Sequence, residues 1–337
     1  MNLLVTGGAG FIGSNFVHHW LAQHPNDNVV VYDALTYAGH ESNLEQVRSD
    51  ISFIKGDIRD FDLVVKTLKT HNISTVVNFA AESHNSLAIV DPTKFFLTNV
   101  MGTQSLLEAS RHQMVERFHH VSTCEVYGDL ALDSNEVFTE NSPYRPRTPY
   151  SASKAGADHA VRAYGYTYSL PITITNCSNN YGPFQLPEKL IPLFITKAIQ
   201  DQKLPLYSSL HNKREWLHVK DHCRAIELVV LEGTIGQTYL VGSGFEASID
   251  EIADKILEIS HKSKELKTIV QDRPSHDRRY LLDSTKIKTE LGWSPTIDFE
   301  SGLKQTVQWY EKRRDWWEPL LESLPIIEQN WSLLKTN

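Results

Sequence analysis

Tyr150 and Lys154 stand four apart in Tyr150-Ser151-Ala152-Ser153-Lys154, which puts both on one face of a helix, one turn apart. An ammonium beside a phenol favours the phenolate, so Lys154 would make Tyr150 a base toward an alcohol near neutral pH. Upstream, Ser122-Thr123-Cys124-Glu125-Val126-Tyr127-Gly128 follows an apolar run at 118–121. Thr123 can hydrogen-bond a reacting hydroxyl, Glu125 can remove a proton next to a carbonyl, and Cys124 sets a thiol between them. A Tyr–Lys pair by itself is more often a surface pair. Its meaning depends on what the rest of the chain places beside it.

What stands at the N-terminus supplies that context. The run 3–5 leads directly into Gly7-Gly8-Ala9-Gly10-Phe11-Ile12-Gly13-Ser14. Glycines at 7, 10 and 13 suit a tight turn, close approach of backbone to a pyrophosphate, and tight packing of helix on strand. The helix that follows offers free N–H groups and a positive dipole end, and Phe11 and Ile12 open it as candidate cofactor contacts. Asp33 ends the next apolar run, about 20 residues on. Its carboxylate can accept from both hydroxyls of an adenosine ribose and would repel a 2′-phosphate, so NAD is expected rather than NADP. Asp57, with Ile58 after it, is placed to reach the adenine. Ala80 and Ala81 close the fourth run with side chains small enough to leave room for a dinucleotide. With this loop, the Tyr–Lys pair points to hydride transfer, and Lys154 can also hold the nicotinamide ribose.

These residues need a scaffold, and the pattern predicts one. Apolar runs at 3–5, 29–32, 51–54, 76–80, 118–121 and 172–175 alternate with helical segments at 11–24, 62–71 and 95–112. Such alternation gives a doubly wound parallel sheet, the Rossmann arrangement, with the polar segment 122–128 at the carboxyl end of a strand where ligands sit. Residues 1–180 are the expected cofactor domain, with 217–242 returning to it. Residues 181–216 and 243–337 are expected to form a smaller α/β substrate lobe, with helices at 191–200, 249–260 and 302–312; a charged loop at 212–221 leads back to the cofactor domain, where a helix at 219–231 is expected.

Composition narrows the class further. Of 337 residues, 41% are hydrophobic and 22% charged, an ordinary globular balance, and the net charge of −8 argues against a nucleic-acid partner. Cys124, Cys177 and Cys223 have no paired spacing, which suits a reducing compartment. No apolar run is long enough to span a bilayer, and a cytoplasmic, membrane-free enzyme is expected.

The segments LLVTGGAGFIGSNF, DALTYAGHES, VVNFAAESH, STCEVYGDL, PYSASKAGADH, TNCSNNYGP, PEKLIPLFI, REWLHVKDH, DRPSHDRRY and LGWSPTIDFESGL together resemble the dTDP-glucose 4,6-dehydratase family, an extended short-chain dehydrogenase group. The resemblance covers nearly the whole chain. It implies that Tyr150 takes the proton of a sugar 4-hydroxyl, that Glu125 takes the proton of carbon 5, and that the 6-hydroxyl leaves as water to give a 4-keto-6-deoxy sugar. It implies a nucleoside-diphosphate hexose, dTDP- or UDP-linked, as substrate. His84, Asn179 and Lys189 would lie by the sugar and its phosphate. Arg214, Arg273, His276 and Ser248 would surround the diphosphate and nucleoside, and Pro205 and Tyr207 would shape the nucleoside pocket. The helices at 100–110 and 150–164 resemble those that pair across a homodimer.

Three departures from that family stand out, one of them Ser248, near a position where the family tends to have Asn toward the diphosphate. The family has Asp, the acid for water loss, where this chain has Cys124; a thiol is already mostly protonated near neutrality, with an ordinary pKa of about 8.5, but is a weaker acid. After His84 the family reads Val-Asp-Arg-Ser, and this chain reads Asn85-Ser86-Leu87-Ala88. A dehydratase-like enzyme of tunicamycin synthesis also has Cys between Thr and Glu and leaves a 5,6-alkene on a UDP-sugar, so that product is one alternative. A UDP-glucuronate decarboxylase or 4-epimerase is another, weakened by the lost Arg. A non-catalytic nucleotide-sugar binder is the third, opposed by the intact Thr123, Glu125, Tyr150 and Lys154.

Overall fold

The β-branched runs of the first half become six strands: β1 (Asn2–Thr6), β2 (Asn28–Asp33), β3 (Ile51–Lys55), β4 (Thr75–Asn78), β5 (Arg117–Thr123) and β6 (Ile172–Cys177). The computed structural model describes residues 1–322 and 324, so the end of the expected substrate lobe lies outside the described residues. Further along come β7 (Asn179–Tyr181), β8 (Leu204–Tyr207), β9 (Lys213–His218), β10 (Thr238–Val241), β11 (Glu246–Ser248) and β12 (Lys267–Val270). The main sheet runs β3-β2-β1-β4-β5-β6-β10, with every pairing parallel. The order reverses between β1 and β4, and a ligand crevice opens at such a switch point.

Alternate side chains of these strands enter two different apolar layers. Leu4, Val30, Val76, Phe118 and Ile174 meet the helices Phe61–Thr70, Thr103–His112 and Pro149–Tyr168 on one face. Leu3, Val5, Val29, Val31 and Val77 meet Phe11–Gln23 and Val219–Glu232 on the other. A sheet buried on both faces must read as continuous Val, Ile and Leu, which is how these runs read.

Beyond β6 the chain builds two small sheets, β11-β9-β7 and β12-β8. Their helices Leu190–Ile199, Ile249–Ile259 and Phe299–Lys312 enclose a separate core containing Phe194, Ile252, Leu303 and Trp317. The expected loop at 212–221 is instead strand β9 leading into a helix. Its charges are satisfied inside: Glu215 is fully buried and accepts the N–H groups of Gly244 at 2.7 Å and Leu282 at 3.0 Å. The expected helix at 95–112 carries a wider turn, a π-helical stretch Phe96–Gly102, between two α-helical pieces. The fourth strand ends at Asn78, two residues early, leaving Ala80 and Ala81 in the crevice loop. Among the described residues no helix is long and apolar enough to cross a membrane.

Candidate active site

Gly7 leaves β1 with φ +66°, and a Cβ there would lie 2.6 Å from the backbone nitrogen of Ala80. A Cβ on Gly13 would lie 2.3 Å from the Gly7 carbonyl oxygen. Both positions therefore exclude any side chain, the first by conformation and contact together. The helix Phe11–Gln23 starts after Gly10 with no side-chain cap, so its first-turn N–H groups remain free for an anion. Asp33, at the end of β2, accepts from Ala9 N–H at 2.9 Å and from Leu35 N–H at 2.8 Å, while burial pushes its carboxyl up. The resulting groove fits a dinucleotide diphosphate.

One cleft of about 330 Å³ gathers Gly7, Gly10, Phe11, Ile12, Gly13, Asp33, Asp57, Ile58, Ala80 and Ala81 on its cofactor side. The same cleft is lined by Thr123, Glu125, Tyr150 and Lys154, and by Asn179 and Lys189 from beyond β6. Thr123 ends β5 and its hydroxyl accepts the N–H of Glu125 at 3.3 Å. Tyr150 and Lys154 share the helix Pro149–Tyr168, fixed by a capping box in which Thr148 and Ser151 bond each other's backbone N–H. Glu125 and Tyr150, on two elements that the stretch 128–148 separates, are thereby brought to one wall.

The electrostatics differ from expectation at the Tyr–Lys pair. Lys154 Nζ donates to the Val121 carbonyl at 2.9 Å and lies 3.4 Å from His120 Nε2, and burial lowers its pKa. The Tyr150 phenol is pushed well above its usual value, by burial first and then by the Glu125 carboxylate, with a hydrogen bond from Thr123 opposing the rise. The expectation that Lys154 brings the phenol down is therefore corrected. The ammonium is directed at the Val121 carbonyl, and desolvation dominates.

Cys124 is not on the cleft wall. It packs beneath Thr123 and Glu125 among Val126, Leu130, Phe138, Leu240 and Leu282, and burial lifts its thiol well above the ordinary value, which keeps it protonated. His84 also lies off the wall; it caps the helix Asn85–Val90 and is held neutral, lowered to about 3 by burial and by Lys189. Lys189 itself donates to the Ser83 carbonyl at 2.8 Å.

The remaining substrate-side candidates cluster in the smaller lobe. Pro205 and Tyr207 lie on β8, and the Tyr207 ring meets that of His276 at 5.1 Å. His276 is lowered to about 3 by burial and by Arg214 and Arg273. Arg214 is turned inward: it lies 4.6 Å over the Tyr280 ring and donates to the Asp277 carbonyl at 2.7 Å. Arg273 keeps a buried Nη1 with no protein partner, the arrangement of a group that awaits an anion. Ser248 caps the helix Ile249–Ile259 in a second capping box, so its hydroxyl already has a structural task.

The sequence reading missed several groups on the wall: Arg59, Glu82, Ser83, Lys94, Thr98 and Glu188. Lys94 and Glu82 pair at 2.9 Å, and Glu188 directly precedes Lys189, the one signal that could have drawn it in. Asn85 was noted only as a departure, yet its Nδ2 donates to Glu125 Oε2 at 3.0 Å.

Known proteins share this arrangement. The GDP-mannose 4,6 dehydratase family model matches residues 4–306. The dTDP-glucose 4,6-dehydratase of Streptomyces niveus is 46% identical over 326 residues, covering 95% of this chain and 96% of that protein. A Mycobacterium tuberculosis enzyme of the same name is 46% identical over 324 residues, covering 96% and 97%. Among solved structures, the dTDP-glucose 4,6-dehydratase DesIV of Streptomyces venezuelae, with NAD and dTDP bound, superposes with a TM-score of 0.92 at 47% identity, covering 95% of this chain and all of that one.

Proposed function

Since this chain belongs to the dTDP-glucose 4,6-dehydratase family, we propose that it converts dTDP-glucose to dTDP-4-keto-6-deoxyglucose with bound NAD. The observation that carries this reading is the meeting of Thr123, Glu125, Tyr150 and Lys154 on the wall of the cleft that the glycine loop opens. Gly7, Gly10, Phe11, Ile12 and Gly13 hold the cofactor diphosphate, Asp33 the adenosine ribose, Asp57 and Ile58 the adenine, and Ala80 and Ala81 make room for the chain between. NAD bound along this groove would supply the acceptor for the hydride of sugar carbon 4 and the donor that returns it, and its positive charge would favour the Tyr150 phenolate against burial.

The chain's own groups move the protons. Tyr150 takes the proton of the 4-hydroxyl, with Thr123 holding that oxygen in place. The carbon-4 ketone then acidifies carbon 5. Glu125 removes the carbon-5 proton, the electron pair forms the 5,6 double bond, and the 6-hydroxyl departs as water. Cys124, the expected acid for that water, lies beneath the wall with its proton held by burial, so a solvent proton that reaches the cleft completes the departing water. The proton gained by Tyr150 passes back to solvent and balances the one the water takes up, and Glu125 returns its own to carbon 5 when carbon 6 is reduced. Asn179 and Lys189 face the sugar and its phosphate, while His84, expected beside them, caps the helix Asn85–Val90 behind the wall. Arg273 and His276 serve the diphosphate and nucleoside beside Pro205 and Tyr207, and Arg214 and Ser248, expected with them, support that region from within.

Residues 1–180 with 217–242 form the cofactor domain in this reading, and 181–216 with 243–337 the nucleotide-sugar lobe. A cytoplasmic homodimer completes it. Phe96, Leu97 and Met101, each more than two-fifths exposed on one helical segment, supply an apolar face for a second copy.

Mass spectrometry of products from dTDP-glucose, UDP-glucose and UDP-N-acetylglucosamine tests the proposal. A product lighter than dTDP-glucose by one water, with the alkali-induced absorbance of a 4-keto-6-deoxy sugar, is expected. Absence of turnover on every sugar would leave only a binder. Cys124 in place of Asp favours one second reading, a UDP-sugar 5,6-alkene product, which has the same loss of water but lacks the ketone chromophore.

A further inference from the structure

Asn85 belongs to the stretch where this chain leaves the pattern it otherwise resembles, and its amide sits between two pieces of the catalytic wall. Its Nδ2 donates to Glu125 Oε2 at 3.0 Å, and its Oδ1 accepts the Thr148 hydroxyl at 3.1 Å. Thr148 Oγ1 in turn accepts the Ser151 N–H at 3.1 Å at the start of the helix that carries Tyr150 and Lys154. An ionised carboxylate only accepts, so the Asn85 NH₂ must face Glu125 and its oxygen is left to take the Thr148 hydroxyl proton, with Ser151 Oγ, 3.0 Å from Thr148 Oγ1, as donor in that contact. The order of donors runs one way, from the Ser151 N–H through Thr148 and Asn85 to the Glu125 carboxylate.

We propose that Asn85 is a positioning residue for elimination: it occupies Glu125 Oε2 and leaves Oε1 as the single oxygen that takes the proton from carbon 5. A proton on Oε2 would set an O–H against the amide N–H, so the network holds that oxygen as an acceptor. The same bond fixes the carboxylate relative to Tyr150, since both are anchored through Thr148. Two protons leave the same sugar, from the 4-hydroxyl and from carbon 5, and the groups that receive them are thereby held in one frame. The inference rests on the dehydratase reading and concerns only the second of its steps.

Single-turnover kinetics separate the two. Oxidation at carbon 4 is followed by the absorbance of reduced nicotinamide, and elimination by uptake of solvent deuterium at carbon 5. A parent enzyme that forms no 4-keto-6-deoxy sugar overturns the functional reading itself. Given an active parent, Asn85→Val is expected to keep carbon-4 oxidation within about threefold and to slow carbon-5 exchange about tenfold to a hundredfold, the effect of losing a hydrogen bond to a charged group. The ratio of the two rates is the readout, and a general loss of structure would not move it. A ratio within about threefold of the parent overturns the inference while leaving the dehydratase intact. Should Asn85→Val lose oxidation as well, Asn85→Asp, which keeps the shape and sets a like charge against Glu125, decides by the same ratio.

Discussion

Trp316 donates its indole N–H to Asn43 Oδ1 at 2.8 Å, and Asn43 gives its own amide to the Ala9 carbonyl at 2.8 Å, inside the glycine loop. A helix of the smaller lobe is thereby tied to the backbone that would hold the cofactor diphosphate. Ala9 also donates its N–H to Asp33, so the same loop residue serves the diphosphate and ribose ends of the cleft. Asn43→Ala would leave the buried indole N–H without a partner, at a cost of about 2 kcal/mol. Urea unfolding should show the lower midpoint with an unchanged slope, and NAD should dissociate faster from the variant. An unchanged midpoint would mean that Trp316 finds another acceptor.

Gly13 has no room for a methyl group against the Gly7 carbonyl. Gly13→Ala must push the helix off the strand or the loop into the cleft, and either weakens dinucleotide binding by about tenfold to a hundredfold. Calorimetric titration with NAD checks this. Affinity equal to that of the parent would show that the loop relaxes freely.

Tyr150 is raised by burial and then by Glu125. Removing that negative charge in Glu125→Gln should lower the phenol pKa, seen as an earlier rise in phenolate absorbance that Tyr150→Phe abolishes. In turnover, Tyr150→Phe should lose activity by about 10²- to 10⁴-fold, the usual contribution of a positioned base. A phenol that titrates identically in Glu125→Gln would separate the two residues electrostatically.

His119 and His222 are fully buried and held down to about 3 by desolvation. In the unfolded chain each takes a proton below about 6.5, whereas the folded chain refuses it until about 3. Their stability contribution is thus complete above pH 6.5 and is lost as pH falls through the window from 6.5 to 3. Glu215 acts oppositely: raised to about 7, it favours the fold at low pH and loses that contribution as pH rises from about 4.5 through 7. The two histidines outnumber it, so stability should drop on acidification below pH 6.5. His119→Gln should reduce the slope by about 1.4 kcal/mol per pH unit. Urea midpoints at pH 5, 6 and 7 measure it, and an unaltered slope would mean that His119 titrates in place.

Cys124, Cys177 and Cys223 are free and buried, and Cys177 is pushed up to about 12 by desolvation. No thiol should react with a disulfide reagent at pH 8 in the folded enzyme, and three should react in urea. Fast labelling of Cys124 in the native state, located by peptide mapping, would show that its layer opens, whereas labelling of Cys177 would report on the cleft it lines.

What could be read in the residues beforehand was local. The glycine spacing and the Tyr–Lys interval concern neighbours within one loop or one helical turn, and Asp33 ends the very next strand; the structure sets all of them on one cleft. The strand β9 was hidden because Arg214 and Glu215 carry charge into the interior, where partners distant in sequence satisfy them, and hydrophobic periodicity has no sign for that. The pull of Lys154 on Tyr150 was misjudged for the same reason: the carbonyl of Val121 claims the ammonium, 33 residues away along the chain. Asn85 could be noticed as an unusual letter, but its grip on Glu125 spans 40 residues and exists only in the folded chain.

The strand β10 seals one margin of the main sheet, next to β6, yet it is made only after the chain has left to lay down β7, β8 and β9. During synthesis, β6 therefore waits with an unpaired backbone edge until residue 241 has emerged. That interval is when the nascent protein is most open to pairing with a neighbour, and a chaperone that shields strand edges would act on this protein there.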